Sequence, residues 1–96
     1  MTGERGERLP FTDGPLPEAF ERRVIVVAPG STRAFDPVEW QDAIVVVERG
    51  CVEVEGVSGT RRTFGRGDVV YLDGLPLRRL HNHGDEAAVL VAVSHR

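Results

Sequence analysis

The residues best able to do chemistry stand late in the chain. His81 and His83 are two apart, so on a strand they share one face. With Asp73 and Asp85 close in sequence, two imidazoles and a carboxylate form a donor set that suits Zn²⁺ or Fe²⁺. However, the segment HNHGDE (His81–Glu86) has the composition of a turn, where imidazoles are solvated, so no metal is expected there. Arg78 offers a different chemistry. A guanidinium directed into a protein interior requires an anion. Asp36, Glu39 or Asp42 could supply it, or a ligand carboxylate or phosphate held in bidentate fashion. Strand alternation would send Arg79 the opposite way. Trp40 reads either as the wall of a small apolar pocket or as a plain core or dimer-interface aromatic, and Tyr71 reads as core or interface packing. Asp42 and Asp73, if buried together, would push one pKa upward and make an acid–base pair, although Asp73 also suits a cap for the turn at Gly74. Ser31, Ser58 and Ser94 have no positioned His–Asp pair. The candidate ligand-binding residues are thus Arg78, Trp40, Asp42, Asp73, Tyr71 and His81, with no catalytic residue assigned.

The elements that would position them are strands. Glu21–Ala28 ends at Pro29-Gly30, and Ser31–Asp36 ends at Pro37. Ala43–Glu48 is apolar and β-branched, as in a strand covered on both faces. Cys51–Glu55 alternates Val52 and Val54 against Glu53 and Glu55, the period of a half-buried strand. Ser58-Gly59 marks a hairpin turn, followed by Thr60–Phe64, Val69–Asp73, Leu77–Leu80 and Glu86–Ser94. One helical turn is expected at Val38–Asp42, opened by Asp36-Pro37. Seven or eight short strands separated by glycine turns predict a sandwich or barrel.

Composition narrows the function. The 96 residues suffice for one small domain, 21–96, preceded by a flexible N-terminal arm, 1–20, carrying Leu9, Phe11, Leu16 and Phe20. The net charge is −3, and all 12 basic residues are Arg with acids interleaved, so no nucleic-acid footprint is formed. The apolar runs are too short to span a bilayer, and the charged N-terminus does not read as a secretory signal. A lone Cys51 fits a reducing cytoplasm and reads as an ordinary strand residue. A chain this short commonly gains buried surface by forming a homodimer.

From Val24 to Val93 the chain resembles the cupins, whose fold is a double-stranded β-helix or jelly roll. Asp42–Val54 (DAIVVVERGCVEV) is similar to the family's unit of strand, turn glycine and strand, with Gly50 as the glycine. The second family motif is Gly, five residues, Pro, one residue, Gly, two residues, His, three residues, Asn. Laid from Gly67 it arrives at Asn82. Asp73 stands at the Pro, Leu75 at the Gly and Arg78 at the metal-binding His; a slip of one residue, aligning on Leu75-Pro76, puts Leu77 there instead. Counting back from Gly50 in the first motif places Ala43 at the metal-binding Glu. The two His fall at Asp36 and Val38, or at Pro37 and Glu39. The resemblance therefore implies the architecture without the metal site, and no cofactor is expected.

The leading expectation is a metal-independent cupin-like domain that binds a small organic acid in its barrel. Its cavity would be lined by Val45, Val47, Val52, Val54, Trp40 and Leu80, with Arg78 fixing the acid. The alternatives are a dimeric interaction module without a ligand, and a metal-free isomerase, cyclase or lyase using Asp42, Asp73, His81 and Arg78.

Overall fold

The computed structural model describes residues 16–95. Leu9, Phe11 and most of the arm expected at 1–20 lie outside the described residues. Eight strands follow in order: β1 (Phe20–Val27), β2 (Thr32–Ala34), β3 (Ile44–Arg49), β4 (Cys51–Gly56), β5 (Arg61–Gly65), β6 (Val69–Tyr71), β7 (Leu77–His81) and β8 (Ala88–His95). They make two four-stranded sheets, the first in the order β1-β8-β3-β6 and the second β2-β7-β4-β5. Every strand pair is antiparallel. The all-β jelly roll expected from the glycine-punctuated strands is therefore observed.

Period-two patterning decides what lies between the sheets. Ile25 and Val27 of β1, Val45 and Val47 of β3, and Leu90 and Ala92 of β8 point inward from the first sheet. They meet Val52 and Val54 of β4 and Leu80 of β7 from the second. Trp40, Ala43 and Leu72 complete this core. Each fully buried Val or Leu is worth about 1.5–3 kcal/mol of transfer free energy, so this cluster is the main source of stability. β8 is apolar on both faces: Val89, Val91 and Val93 alternate with the inward set and point to the outer side of the first sheet.

Gly50 must be glycine. It sits at φ +73°, where an L side chain is strained, and a Cβ there would lie 2.6 Å from the Ala87 carbonyl oxygen. The helical turn expected at Val38–Asp42 is instead a run of tight turns. Asp36 does cap it, its Oδ1 accepting the Val38 N–H at 3.0 Å. The bonds that follow run three residues back, from Glu39 N to Asp36 O and from Ala43 N to Trp40 O. Asp42 then turns to φ +56° and ends the run.

Each sheet contains one β-bulge. Between β3 and β8 the register passes from Val47 opposite Leu90 to Arg49 opposite Val89, which leaves Glu48 as the extra residue. Between β4 and β7 it passes from Glu55 opposite Arg79 to Gly56 opposite Leu77, which leaves Arg78 as the extra residue.

Candidate functional site

The second bulge corrects the expectation for Arg78. In a regular strand Arg78 would share the inward face with Leu80. As the extra residue it leaves that alternation, and Leu77 packs against the core in its place. The Arg78 guanidinium lies half-exposed, donating to the Val57 carbonyl at 3.3 Å and standing 4.0 Å from Glu55. Arg79 also faces Glu55, at 3.8 Å. The two arginines therefore do not point to opposite sides, and Asp36, Glu39 and Asp42 are not the partners of Arg78.

Glu55 is the hub of an ionic cluster on the outer face of the second sheet. Cross-strand pairing sets His81 opposite Glu53, and Arg61 and Arg79 opposite Glu55. The His81 Nε2–H donates to Glu55 at 2.7 Å, and the His81 Nδ1 lies 2.9 Å from the Thr32 hydroxyl. His83 donates to Glu53 at 2.8 Å, and Arg61 donates to the same carboxylate at 2.7 Å. The two imidazoles stack with centroids 5.5 Å apart. The hydrogen bond from His81 holds the Glu55 carboxyl below its usual pKa, aided by Arg61 and Arg79 and opposed by burial. His83, then Arg61, lower Glu53 in the same way. His81 is thus not a solvated turn residue but the bonded end of β7. His81 and His83 do share a face, as their spacing predicts.

The remaining candidates scatter. Trp40 is fully buried, stacked on Phe35 at 6.2 Å, and belongs to the core rather than to a pocket wall. Asp42, Asp73 and Tyr71 do meet, at the β6 edge of the first sheet. Asp73 Oδ2 accepts the Asp42 backbone N–H at 3.0 Å and the Tyr71 hydroxyl at 3.4 Å. Partial burial of the Tyr71 hydroxyl, then the charges of Asp73 and Asp42, raise its pKa. Asp42 and Tyr71 are exposed, so this trio is no buried acid–base pair.

The six residues expected to line an internal cavity are all buried in the core, and Val54 among them also borders a cleft. That cleft, of about 300 Å³, opens where the β4–β5 hairpin faces the β6–β7 loop. Val54, Phe64, Leu72, Leu75, Pro76 and Leu77 form its apolar wall. Arg62 shares the inward face with Val54, its register partner, and its guanidinium sits 5.9 Å from the Phe64 ring centre. Among the described residues no carboxylate pairs with Arg62. Sequence reasoning missed Arg62 and Phe64; the alternation of Thr60–Phe64, carried across the hairpin from Val52 and Val54, was the signal that could have found them.

The barrel does not suit the metal that its architecture implies elsewhere. Ala43 and Leu77, at two of the expected ligand places, carry no donor atom. Among the described residues no group of three or more His, Cys, Asp or Glu side chains is arranged to hold an ion.

This fold and its interior define a class. The chain has the cupin fold, the double-stranded β-helix. It is similar to a Cupin 2 conserved barrel domain protein from Salinispora arenicola, with TM-score 0.63 and 26% identity over 96% of this chain and 88% of that one. It is also similar to the Cupin_2 domain of an XRE family transcriptional regulator from Enterobacter cloacae, with TM-score 0.62 and 25% identity over 81% and 82% of the two chains. A sugar phosphate isomerase of the cupin superfamily from Silicibacter pomeroyi shares the fold at TM-score 0.59 and 20% identity, over 82% of this chain and 52% of that one. No protein-family model and no curated protein matches the sequence. Among the described residues no helix is long and apolar enough to cross a membrane.

Proposed function

We propose that the chain binds a small apolar organic acid in the cleft between the β4–β5 hairpin and the β6–β7 loop, with Arg62 as its anion partner and without a metal. The observation that carries this reading is the Arg62 guanidinium, held over Phe64 at an apolar cleft with no carboxylate paired to it among the described residues. A cation beside an apolar wall matches a molecule with one charged end, because the ligand supplies the missing anion while its body covers Phe64, Leu72 and Leu77. The cleft lining contains no carboxylate or imidazole, which favours binding over acid–base turnover. The name of the Enterobacter cloacae relative, a domain of a transcriptional regulator, agrees with a ligand-sensing role.

Thermal-shift and calorimetric titration with aliphatic and aryl monocarboxylates, each beside its primary amide, tests the reading. The acids are expected to stabilise the protein and the amides are not. Arg62→Leu is expected to abolish the difference, whereas Arg78→Leu leaves it intact. If no acid outperforms its amide, or if Arg62→Leu binds as the parent does, the proposal fails.

A further inference from the structure

The cleft beside Arg62 is polar at both of its ends, and the two ends differ. Thr60, Arg62 and Phe64 are each two residues apart, share one face of the extended chain, and all line the cleft. The Arg62 guanidinium leans to the Phe64 end, 5.9 Å from the ring centre. At the opposite end the Ser58 Oγ and the Thr60 Oγ1 stand 3.1 Å apart. Between these ends the wall is apolar, and Arg62 carries the only ionic side chain in the lining.

The hydroxyl pair has bonding capacity to spare. One hydroxyl donates to the other, so the second O–H and the remaining lone pairs are open to a ligand. Much of the backbone around the pair is already engaged. The Gly56 N–H donates to the Thr60 carbonyl at 2.8 Å, and the Gly59 N–H to the Gly56 carbonyl at 3.0 Å. The Val57 N–H donates to the Pro76 carbonyl at 2.9 Å, which ties the β4–β5 hairpin to the β6–β7 loop. Both walls are thus joined before a ligand arrives, a form of preorganisation.

We infer that the ligand of this cleft is a hydroxy acid, with one carboxylate for Arg62, an apolar body, and a hydroxyl at the far end for Ser58 and Thr60. The inference rests on the acid-binding reading of the cleft and adds the second end of the ligand. Charge argues against other bifunctional acids. A second carboxylate would meet no cation at the Ser58–Thr60 end, and an ammonium group would meet no carboxylate anywhere in the lining. A hydroxyl both donates and accepts, as its two partners do.

Spacing sets the length. Thr60 and Arg62 are about 7 Å apart along an extended chain, and the guanidinium reaches further toward Phe64. The two polar groups of the ligand therefore stand roughly 8 Å apart, close to the span of para-hydroxyphenylpropanoate. A cleft of about 300 Å³ suits a molecule of that size.

Titration calorimetry on the full chain tests the inference. The probes are para-hydroxyphenylpropanoate, its ortho isomer, phenylpropanoate, and the primary amide of the para compound. The para acid is expected to bind about fivefold tighter than phenylpropanoate or the ortho isomer, the ordinary effect of one neutral hydrogen bond. Ser58→Ala combined with Thr60→Val should bring the para acid down to phenylpropanoate, while both acids still exceed the amide. Should the double variant lose the parental far-UV circular dichroism, Thr60→Val alone reads the same end. Phenylpropanoate or the ortho isomer binding as tightly as the para acid overturns the inference. So does a para preference that survives the loss of both hydroxyls. In either case an acid that still exceeds its amide leaves the reading of the cleft standing. An acid that does not exceed its amide removes that reading, and this inference with it.

Discussion

His81 gives its Nε2–H to Glu55 across 2.7 Å and keeps its other ring nitrogen 2.9 Å from the Thr32 hydroxyl. One side chain thus joins β2, β7 and β4 on the outer face of the second sheet. Its carboxylate partner is nearly buried, with a side chain only 8% exposed, yet it faces Arg61, Arg78 and Arg79 as well as His81. A carboxylate placed this way is tolerated in its charged form, because cations and hydrogen bonds replace the water it has lost.

The pH dependence of stability follows from the direction of the shifts. Glu55 and Glu53 both bind a proton less readily in the folded chain than at their ordinary value of 4.5. Their contribution to stability is therefore present above that value and is lost as pH falls through the lower, folded value. Urea unfolding at about pH 6 and about pH 3.5 is expected to show the loss. Glu55→Gln should be less stable than the parent at the higher pH and should have a shallower acid limb. An acid limb as steep as the parent's would exclude Glu55 as a source of it.

Asn82 is a structural tie. It is buried, and its Nδ2 donates to the carbonyls of Val27 and Glu86, both at 2.9 Å, while its Oδ1 accepts the Gly84 N–H at 2.9 Å. It fastens the end of β1 to the turn leading into β8. Asn82→Ala strands three backbone groups and is expected to cost about 2–4 kcal/mol. Asn82→Asp should be at least as harmful, since a carboxylate cannot donate to the two carbonyls. Chemical denaturation measures both; a loss below about 1 kcal/mol for Asn82→Ala would remove this role.

Two glycines of similar conformation should respond differently to the same change. Gly59 has φ +93°, with nothing within 4 Å of an added Cβ. Gly59→Ala is expected to cost about 1 kcal/mol, for backbone strain alone. Gly50→Ala adds the clash with Ala87 and should cost about 3 kcal/mol or more. Equal melting temperatures for the two variants would show that the approach at Gly50 does not matter.

Trp40 has a polar atom that gains nothing from folding. Its indole N–H is buried and finds no acceptor among the described residues. Trp40→Phe keeps most of the ring and removes that unpaired donor, so it is expected to cost about 1–2 kcal/mol, against about 3–5 kcal/mol for Trp40→Ala. If Trp40→Phe proved as costly as Trp40→Ala, the N–H would have to make a bond of its own.

Much of the fold was readable because alternation and glycine turns are local signals. Val52, Glu53, Val54 and Glu55 declare their faces without help from the rest of the chain. Arg49-Gly50 reads as a turn from its own neighbourhood, whereas Asn82 stands out only through the resemblance to the second cupin motif. The site was less legible. An arginine in a strand reads as inward or outward only when the strand is regular, and Arg78 is the residue at which β7 breaks its alternation. Arg62 and Phe64 acquire meaning only once β5 is paired with β4. For Trp40, among Glu39, Gln41 and Asp42, the resemblance to the cupins leaves a barrel-mouth position and a core position both open, and packing against Phe35 decides for the core. Ala43–Glu48 reads as a strand covered on both faces, and Val45, Val46 and Val47 are buried as expected, whereas Ile44 at its start is half exposed.

The extra residue at Arg78 separates two rulers that run along the chain. Upstream of it, Leu75-Pro76-Leu77 keeps step with the loop from β6; downstream, Leu80 and Asn82 keep step with β4 and β1. The number of residues between the proline and the asparagine is therefore free to change by one without moving either anchor. Sequences of this fold that differ in length between those anchors should be compared with a gap at Arg78, and the place of the interior side chain then falls on Leu77, one position earlier than simple counting gives.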